Sequence, residues 1–136
     1  MVKRNVVVDT NCLLMMIPTR SPWRKVWDAY REGKFVMCVS TGVLDEYHEI
    51  LSQKASPSVA ENIIQAITNS PFTRFFSPQF RFEIIKQDPD DNKFVDLAIV
   101  AQAEYLVSND KHFEEARACP FPSVNVVTLS EFAHVL

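Results

Sequence analysis

The sequence predicts an α/β protein, a three-layer α/β/α sandwich with a mainly parallel central sheet. Short apolar segments alternate along the chain with segments of helical periodicity, which is typical of parallel sheets. The strand-like segments Asn5–Asp9 and Phe35–Val39 are continuously apolar, as strands buried on both faces of a sheet are. The 136 residues suit a single domain spanning residues 1–136, and 47% of them are apolar, which is enough for a core.

Two helices are predicted between and beside the first strands. The segment Asn11–Ile17 reads as a short helix because a proline follows it directly. The pair Ser21-Pro22 is a helix start signal, with serine at the cap and proline at the first helical position. It predicts a helix over Trp23–Glu32, which ends at a glycine.

Two further helices follow the second strand. Thr41–Lys54 carries its apolar residues on one stripe, which predicts an amphipathic helix. Ser58 and Glu61 have the spacing of a capping box, which predicts another helix to about Ile67. In the less regular segment after it, Arg81–Ile85 has an edge-strand pattern.

The second half of the chain repeats the alternation of strand and helix. Its final helix begins with the capping box Thr128-Leu129-Ser130-Glu131. The preceding elements are predicted as a helix over Asn92–Glu104, a strand over Tyr105–Ser108, a short helix over Lys111–Ala116 and a strand over Val124–Val127.

The charge and cysteine content restrict the class of protein. The net charge of −3 is not that of a typical nucleic-acid binder, but a metal site made of carboxylates would itself remove positive charge from the balance. Cys12, Cys38 and Cys119 are scattered without metal-ligand spacing, which favours core thiols in a reducing compartment over disulfides. With neither a signal-peptide core nor a membrane-spanning run, the sequence predicts a cytoplasmic protein and no membrane partner.

Carboxylates fall where the predicted strands end. Asp9 ends the first strand, Asp110 follows the strand Tyr105–Ser108, and Glu46 lies early in the helix after the second strand. Asp96 lies about one turn into the apolar helix that precedes the fourth strand. Because ligands of open α/β sheets bind beyond the carboxyl ends of the strands, we expect these four side chains at one edge.

Each carboxylate also has a purely structural interpretation. Asp96 in a buried helix is costly unless it is paired, so it either binds a metal or pairs with Lys93 or a backbone group. Asp9 at a strand end is also a good helix cap, although Asn11 is able to do that capping instead. Asp91 stands either at a helix N-terminus for electrostatic reasons or close enough to reach a metal through water.

Several carboxylates side by side need cations, because like charges raise one another's pKa. A site with oxygen ligands alone favours Mg²⁺ or Mn²⁺ over zinc. His48, His112 and His134 have no paired spacing, so we expect surface or structural roles for them.

At these residues the sequence resembles the PIN-domain nucleases. Asp9-Thr10-Asn11 resembles the family's first motif, Ser40–Leu51 the second with Glu46 at its acidic position, and Asp88–Phe113 the third and fourth. The resemblance runs from about residue 4 to residue 132 and is closest to the bacterial VapC-like toxins of toxin–antitoxin pairs. Two departures are Gln102, where these relatives often have glycine, and Ser108-Asn109, where Thr-Gly or Thr-Arg is common.

The resemblance implies a PIN-like, Rossmann-like fold and hydrolysis of RNA with Mg²⁺ or Mn²⁺. It implies an antitoxin as protein partner and a homodimer as assembly. Asp96 and Asp110 match the acidic positions of the family's third and fourth motifs. The resemblance implies that Asp9 and Asp96 are the principal metal ligands, and Asp91 matches a further aspartate that is common in this branch of the family. We expect supporting roles for Thr10, Asn11 and Ser108, and RNA phosphate contacts for Arg20, Arg24, Lys54 and Lys111.

Other interpretations stay open beside the nuclease. A PIN fold whose site has decayed serves as a scaffold or RNA-binding module, although here all the expected carboxylates are present. A phosphatase with an aspartyl-phosphate intermediate typically needs a second aspartate two residues after the first, where this chain has Asn11. Aromatic residues belong either to the core or to an apolar dimer surface, the core being favoured: Trp23, Trp27, Phe72, Phe75, Phe76 and Phe80.

Overall fold

The computed structural model of the chain describes residues 4–78, 83–85 and 89–136. Within these ranges the chain forms a five-stranded sheet in which every pair of neighbouring strands is parallel. The strands are β1 (Asn5–Val8), β2 (Val36–Val39), β3 (Thr73–Phe75), β4 (Tyr105–Val107) and β5 (Val126–Val127).

Seven α-helices connect and follow the strands in the described ranges. They are α1 (Thr10–Met16), α2 (Arg24–Arg31), α3 (Thr41–Lys54), α4 (Pro57–Asn69), α5 (Asn92–Val100), α6 (Glu114–Ala118) and α7 (Leu129–Val135). Two short 3-10 turns, Pro89–Asp91 and Lys111–Phe113, lead into α5 and α6.

The central strands are buried on both faces. All four residues of β2 are buried, and Val6, Val7 and Val8 of β1 have no exposed surface. Because successive side chains of a strand point to opposite faces, helices must cover the sheet on both sides. This confirms the predicted three-layer α/β/α sandwich with its parallel sheet.

The order of the strands places the crevice in which a ligand would bind. The order is β3-β2-β1-β4-β5: β1 is the central strand, β2 and β3 follow on one side of it, and β4 and β5 lie on the other side. The direction of building reverses between β1 and β4, whose carboxyl ends lie side by side. Open α/β sheets bind ligands at such a reversal, outside the carboxyl ends of the strands.

The edge strand lies elsewhere than predicted. Residues 81 and 82 of the predicted strand Arg81–Ile85 lie outside the described residues, and residues 83–85 are not a strand. The strand beside β2 is β3 instead, and Tyr30 anchors it through a hydrogen bond with the Thr73 hydroxyl. Three residues are too short for a clear period of two, so the pattern did not reveal this strand.

The helix α4 begins before the predicted capping box. Its cap is Ser56, whose Oγ accepts a hydrogen bond of 3.0 Å from the backbone nitrogen of Val59, and Pro57 is the first helical residue. The fixed φ of proline suits that position, so the Ser-Pro signal outweighs the Ser58 box. At α7, by contrast, the predicted capping box between Thr128 and Glu131 is present.

Most of the aromatic residues named above belong to the core. Trp27 is buried, while Trp23, Phe72 and Phe76 are partly buried and pack against the core. Phe75 on the edge strand is 56% exposed. Phe80 lies outside the described residues.

The cysteines are all free thiols, as predicted. Cys12 and Cys38 are buried, whereas Cys119 is partly exposed and so differs from the expected core position. Among the helices that the structure describes, none combines the length and the apolar character needed to cross a membrane.

Two helices end in the same hydrogen-bonded turn with different residues at its strained position. After α2, Gly33 has a φ of 80°, and the backbone nitrogen of Lys34 donates to the Ala29 carbonyl. After α5, Gln102 has a φ of 50°, and the nitrogen of Ala103 donates to the Ala98 carbonyl. This turn requires a left-handed residue, for which glycine is the usual choice. The backbone conformation at Gln102 therefore suits glycine better than glutamine.

Replacing Gln102 with glycine is expected to stabilise the protein. A side chain in the left-handed region costs about 1 kcal/mol, which glycine avoids. We expect Q102G to raise the free energy of unfolding by about that amount, measured by urea denaturation. The matched variant Q102A keeps a Cβ and should show no such gain, and equal stability of the two variants would contradict the explanation.

Candidate active site

Asp9 stands at the carboxyl end of β1, in the crevice between β1 and β4. Its backbone nitrogen continues the sheet by donating to the Val107 carbonyl at 3.0 Å. Its side chain caps α1, with Oδ1 accepting from the Cys12 nitrogen at 2.8 Å, so the structural role of a helix cap is present. Asp9 is only 4% exposed, because its strand and helix both belong to the core.

Ser108 joins Asp9 to Asp110 across the crevice. Its Oγ donates to Asp9 Oδ2 at 2.5 Å and accepts a hydrogen bond from the Asp110 backbone nitrogen at 3.0 Å. Ser108 itself is 3% exposed, at the end of β4. The serine therefore supplies the buried hydroxyl that orients one carboxylate and fixes the backbone of the other, as expected of a supporting residue.

Glu46 reaches the same crevice from the second turn of α3. The Thr10 hydroxyl donates to its Oε2, and the ammonium of Lys93 lies 2.7 Å from its Oε1. Thr10 therefore supports Glu46, as Ser108 supports Asp9. Lys93 pairs with Glu46, a partner that the sequence does not predict.

Asp91 is the residue immediately before α5, and its position is fixed by the next residue along the chain. The side chain of Asn92 accepts from the Ile85 backbone nitrogen at 2.7 Å and donates to the Ile85 carbonyl at 2.8 Å. Phe94, one turn further on, is buried between the rings of Tyr47 and Phe113. These contacts fix the start of α5, and with it the Asp91 carboxylate.

These carboxylates line one open depression of about 260 Å³. It collects side chains from four separate stretches of sequence, at the end of the sheet where the strand order reverses. Its lining residues are Asp9, Thr10, Asn11, Glu46, Ile50, Lys54, Asp90, Asp91, Phe94 and Asp110.

Asp96 lies in a different depression. It is 7% exposed and lines a neighbouring cavity of about 330 Å³ with the start of α3 and Lys93. Five helical positions separate it from Asp91, which turns the two side chains roughly 140° apart around the helix axis. The structure thus brings Asp91 together with Asp9, Glu46 and Asp110, and places Asp96 beside that group rather than in it.

His112 belongs to the site, although the sequence indicated only a surface or structural role. Its Nδ1 lies 3.4 Å from Asp91 Oδ2 and 3.5 Å from Asp110 Oδ1. The signal that points to it is the spacing Asp-Lys-His directly after a strand that ends at the crevice. His48 and His134 are exposed and lie on α3 and α7.

The four candidate RNA contacts have different surroundings. Lys54 is exposed and lines the acidic depression, which suits a contact with phosphate. Arg24 instead caps the end of α1 by donating to the Ile17 carbonyl and pairs with Asp28 at 3.4 Å. Arg20 and Lys111 are exposed.

Burial perturbs the ionisation of Asp9. Desolvation raises its pKa above the ordinary value of 3.8, which the hydrogen bonds from Ser108 and Cys12 only partly offset. Beneath it, the buried hydroxyl of Tyr47 donates to the Val8 carbonyl, and burial raises the pKa of Tyr47 well above 10. A perturbed carboxylate in a cleft is a mark of a functional site.

The residues present fit a divalent cation. Asp9, Asp91, Asp110 and Glu46 offer oxygen ligands of the kind that Mg²⁺ and Mn²⁺ prefer. A nearby cation would also favour the ionised form of Asp9, which burial alone disfavours. The donor set therefore suits a divalent cation, and Asp91 lies in the depression where the sequence predicts Asp96.

Three solved structures share this fold, each at low sequence identity. VapBC2 from Rickettsia felis, bound to a DNA fragment from its promoter, has a TM-score of 0.64 and 15% identity over 91% of this chain and 98% of that chain. VapBC from Salmonella typhimurium, bound to DNA, has a TM-score of 0.61 and 15% identity over 95% of this chain and 99% of that chain. VapC20 of Mycobacterium tuberculosis, a toxin that cleaves the sarcin-ricin loop, has a TM-score of 0.61 and 16% identity over 82% of this chain and 94% of that chain.

Comparison of whole sequences and comparison with family models give different results. Among curated proteins, none matches the chain. The family model described as the PIN domain matches residues 5–112, which is well over half of the chain and includes every acidic residue of the depression. The chain therefore belongs to the PIN-domain family.

Proposed function

We propose that the chain is a divalent-metal-dependent endoribonuclease. One observation carries the proposal: Asp9, Glu46, Asp91 and Asp110 line a single depression at the reversal of strand order. A decayed PIN fold has no need to keep four carboxylates in one cleft, because clustered like charges destabilise the protein in the absence of a cation. The family and the fold both support hydrolysis of phosphodiester bonds.

The proposed ligands of Mg²⁺ or Mn²⁺ are Asp9, Asp91 and Asp110, with Glu46 binding directly or through water. When bound, the metal lowers the pKa of a water molecule and stabilises negative charge at phosphorus. Ser108 and Thr10 hold the carboxylates of Asp9 and Glu46 in position.

Other side chains prepare the site for RNA. Lys93 neutralises one oxygen of Glu46, which limits repulsion in the cleft. Lys54 at the rim is placed to bind a phosphate of the RNA, and Asn11 is exposed at the same rim.

The test is cleavage of a mixed single-stranded RNA by the purified protein. We expect cutting with Mg²⁺ and with Mn²⁺, and none with a chelator. D9N should lose cleavage, whereas D45N, which changes an exposed aspartate next to Glu46, should keep it. If folded wild-type protein cuts none of several RNAs with either metal, the nuclease proposal fails and an RNA-binding or scaffold role replaces it.

We also propose that the protein is the toxin of a cytoplasmic toxin–antitoxin pair. The structural relatives support this, because two are VapBC complexes and one is a toxin. Induced expression in a bacterial host should arrest growth for the wild type but not for D9N. Equal growth of both strains, at equal levels of folded protein, would contradict a toxin role.

An antitoxin and a second copy of the chain are the proposed protein partners. The edge strand β3 leaves Phe75 56% exposed, and this apolar side chain suits a protein contact. Sedimentation of the purified chain measures self-association directly. A sedimentation coefficient of a monomer at micromolar concentration would exclude a stable homodimer.

A further inference from the structure

His112, Asp91 and Asp110 form a cluster with the spacing of metal ligands. One ligand-capable atom of each residue lies within 4.8 Å of those of the other two. The 3.4 and 3.5 Å from His112 Nδ1 to the two carboxylates are long for charge-assisted hydrogen bonds, which are about 2.7–2.9 Å. Two ligands that each lie about 2.1 Å from one cation are roughly 3.0–3.4 Å apart. The spacing is therefore closer to that of ligands around a shared cation.

The local fold holds the imidazole in this place. The carboxylate of Asp110 accepts a hydrogen bond of 2.9 Å from the His112 backbone nitrogen, which caps the 3-10 turn. The next residue, Phe113, is 1% exposed and packs edge-on against Phe94 at 6.4 Å. With the residues on both sides fixed, the backbone of His112 has little freedom to carry its ring away from the carboxylates.

The orientation of the ring also fits metal binding. The imidazole side chain as a whole is 40% exposed, but Nδ1 and Asp91 Oδ2 are shielded from solvent. Nδ1 therefore faces the two carboxylates, while the rest of the side chain keeps contact with water. A metal bound here would stay within reach of a substrate from solution.

We infer that His112 binds the metal directly through Nδ1, together with Asp91 and Asp110, and that it makes the site favour Mn²⁺ over Mg²⁺. Mg²⁺ is bound through oxygen almost exclusively, whereas transition metals accept imidazole readily. The inference rests on the proposed function only in that the same depression holds the metal. It assigns to this chain a nitrogen ligand that carboxylate chemistry alone does not predict.

The test is binding of Mn²⁺ to metal-free protein in the absence of RNA, monitored by electron paramagnetic resonance. Pulsed measurements should show coupling of bound Mn²⁺ to a ¹⁴N nucleus in the wild type and in the controls H48Q and H134Q. H112Q should lose that coupling, and its Kd for Mn²⁺ should rise about tenfold or more. Its Kd for Mg²⁺, measured by competition, should rise less.

Two results would overturn the inference. One is bound Mn²⁺ without nitrogen coupling in the wild type, and the other is equal weakening of Mn²⁺ and Mg²⁺ binding in H112Q. Either result would leave His112 as a residue that only orients the carboxylates. Failure of the proposed function is distinct, because a protein that shows nitrogen coupling but cuts no RNA keeps the ligand and loses the nuclease.

Discussion

D91N is expected to lower kcat/KM for RNA cleavage by roughly 10²–10³, while D96N stays within about tenfold of the wild type. Asp91 lines the depression with Asp9, Glu46 and Asp110, and the next residue, Asn92, fixes the start of α5 through its hydrogen bonds with Ile85. A hundredfold loss corresponds to about 2.7 kcal/mol of transition-state stabilisation, which is reasonable for one lost carboxylate ligand.

The comparison between these two variants is informative because both residues are aspartates on the same stretch of chain. Asp96 is buried in the neighbouring depression, so D96N is expected to affect stability more than catalysis. Rates are therefore compared at a temperature at which circular dichroism shows both variants folded. If D96N is folded but inactive while D91N is active, Asp96 and not Asp91 is the metal ligand.

D9N is expected to be more stable than the wild type at neutral pH when both are free of metal. Burial raises the pKa of Asp9 above 3.8, so the folded protein holds its proton more tightly than the unfolded chain does. The stability that this proton confers is complete below pH 3.8 and is lost as the pH rises through the folded pKa. An asparagine does not titrate, and its carbonyl oxygen is able to accept the hydrogen bond from the Cys12 nitrogen.

Metal should stabilise the wild type but not D9N. A saturating divalent cation at a hundred times its Kd stabilises the wild type by about 2.7 kcal/mol, whereas D9N should gain little. Thermal unfolding at several pH values, with chelator and with Mn²⁺, measures both effects. If D9N is the less stable protein with chelator at neutral pH, or if metal stabilises both proteins equally, Asp9 is a structural cap and not a ligand.

The sequence predicts the sheet well because its central strands must be buried on both faces. Short valine-rich runs such as Asn5–Val8 and Val36–Val39 favour buried strands over helices, and the first of them places Asp9 at a strand end. The edge strand Thr73–Phe75 carries no such constraint, because one side of it faces solvent and three residues are too few for a pattern.

The acidic site is predicted in its location but not in its full membership. Asp91 and Asp96 are both present in one segment, and the choice between them depends on where α5 begins and how its turns face the crevice. The direction in which those turns face depends on contacts outside the helix, such as the two hydrogen bonds between Asn92 and Ile85, which the helical pattern does not reveal. His112 was missed for a related reason, because it meets Asp91 only through folding.

The proposed metal site is tested most directly by locating the bound metal with anomalous diffraction from crystals grown with Mn²⁺. We expect an anomalous peak in the depression between β1 and β4, about 2.2 Å from carboxylate oxygens of Asp91 and Asp110, with Asp9 beside it. A peak at Asp96 in the neighbouring depression, or no peak at a saturating concentration of Mn²⁺, would contradict the proposed metal site.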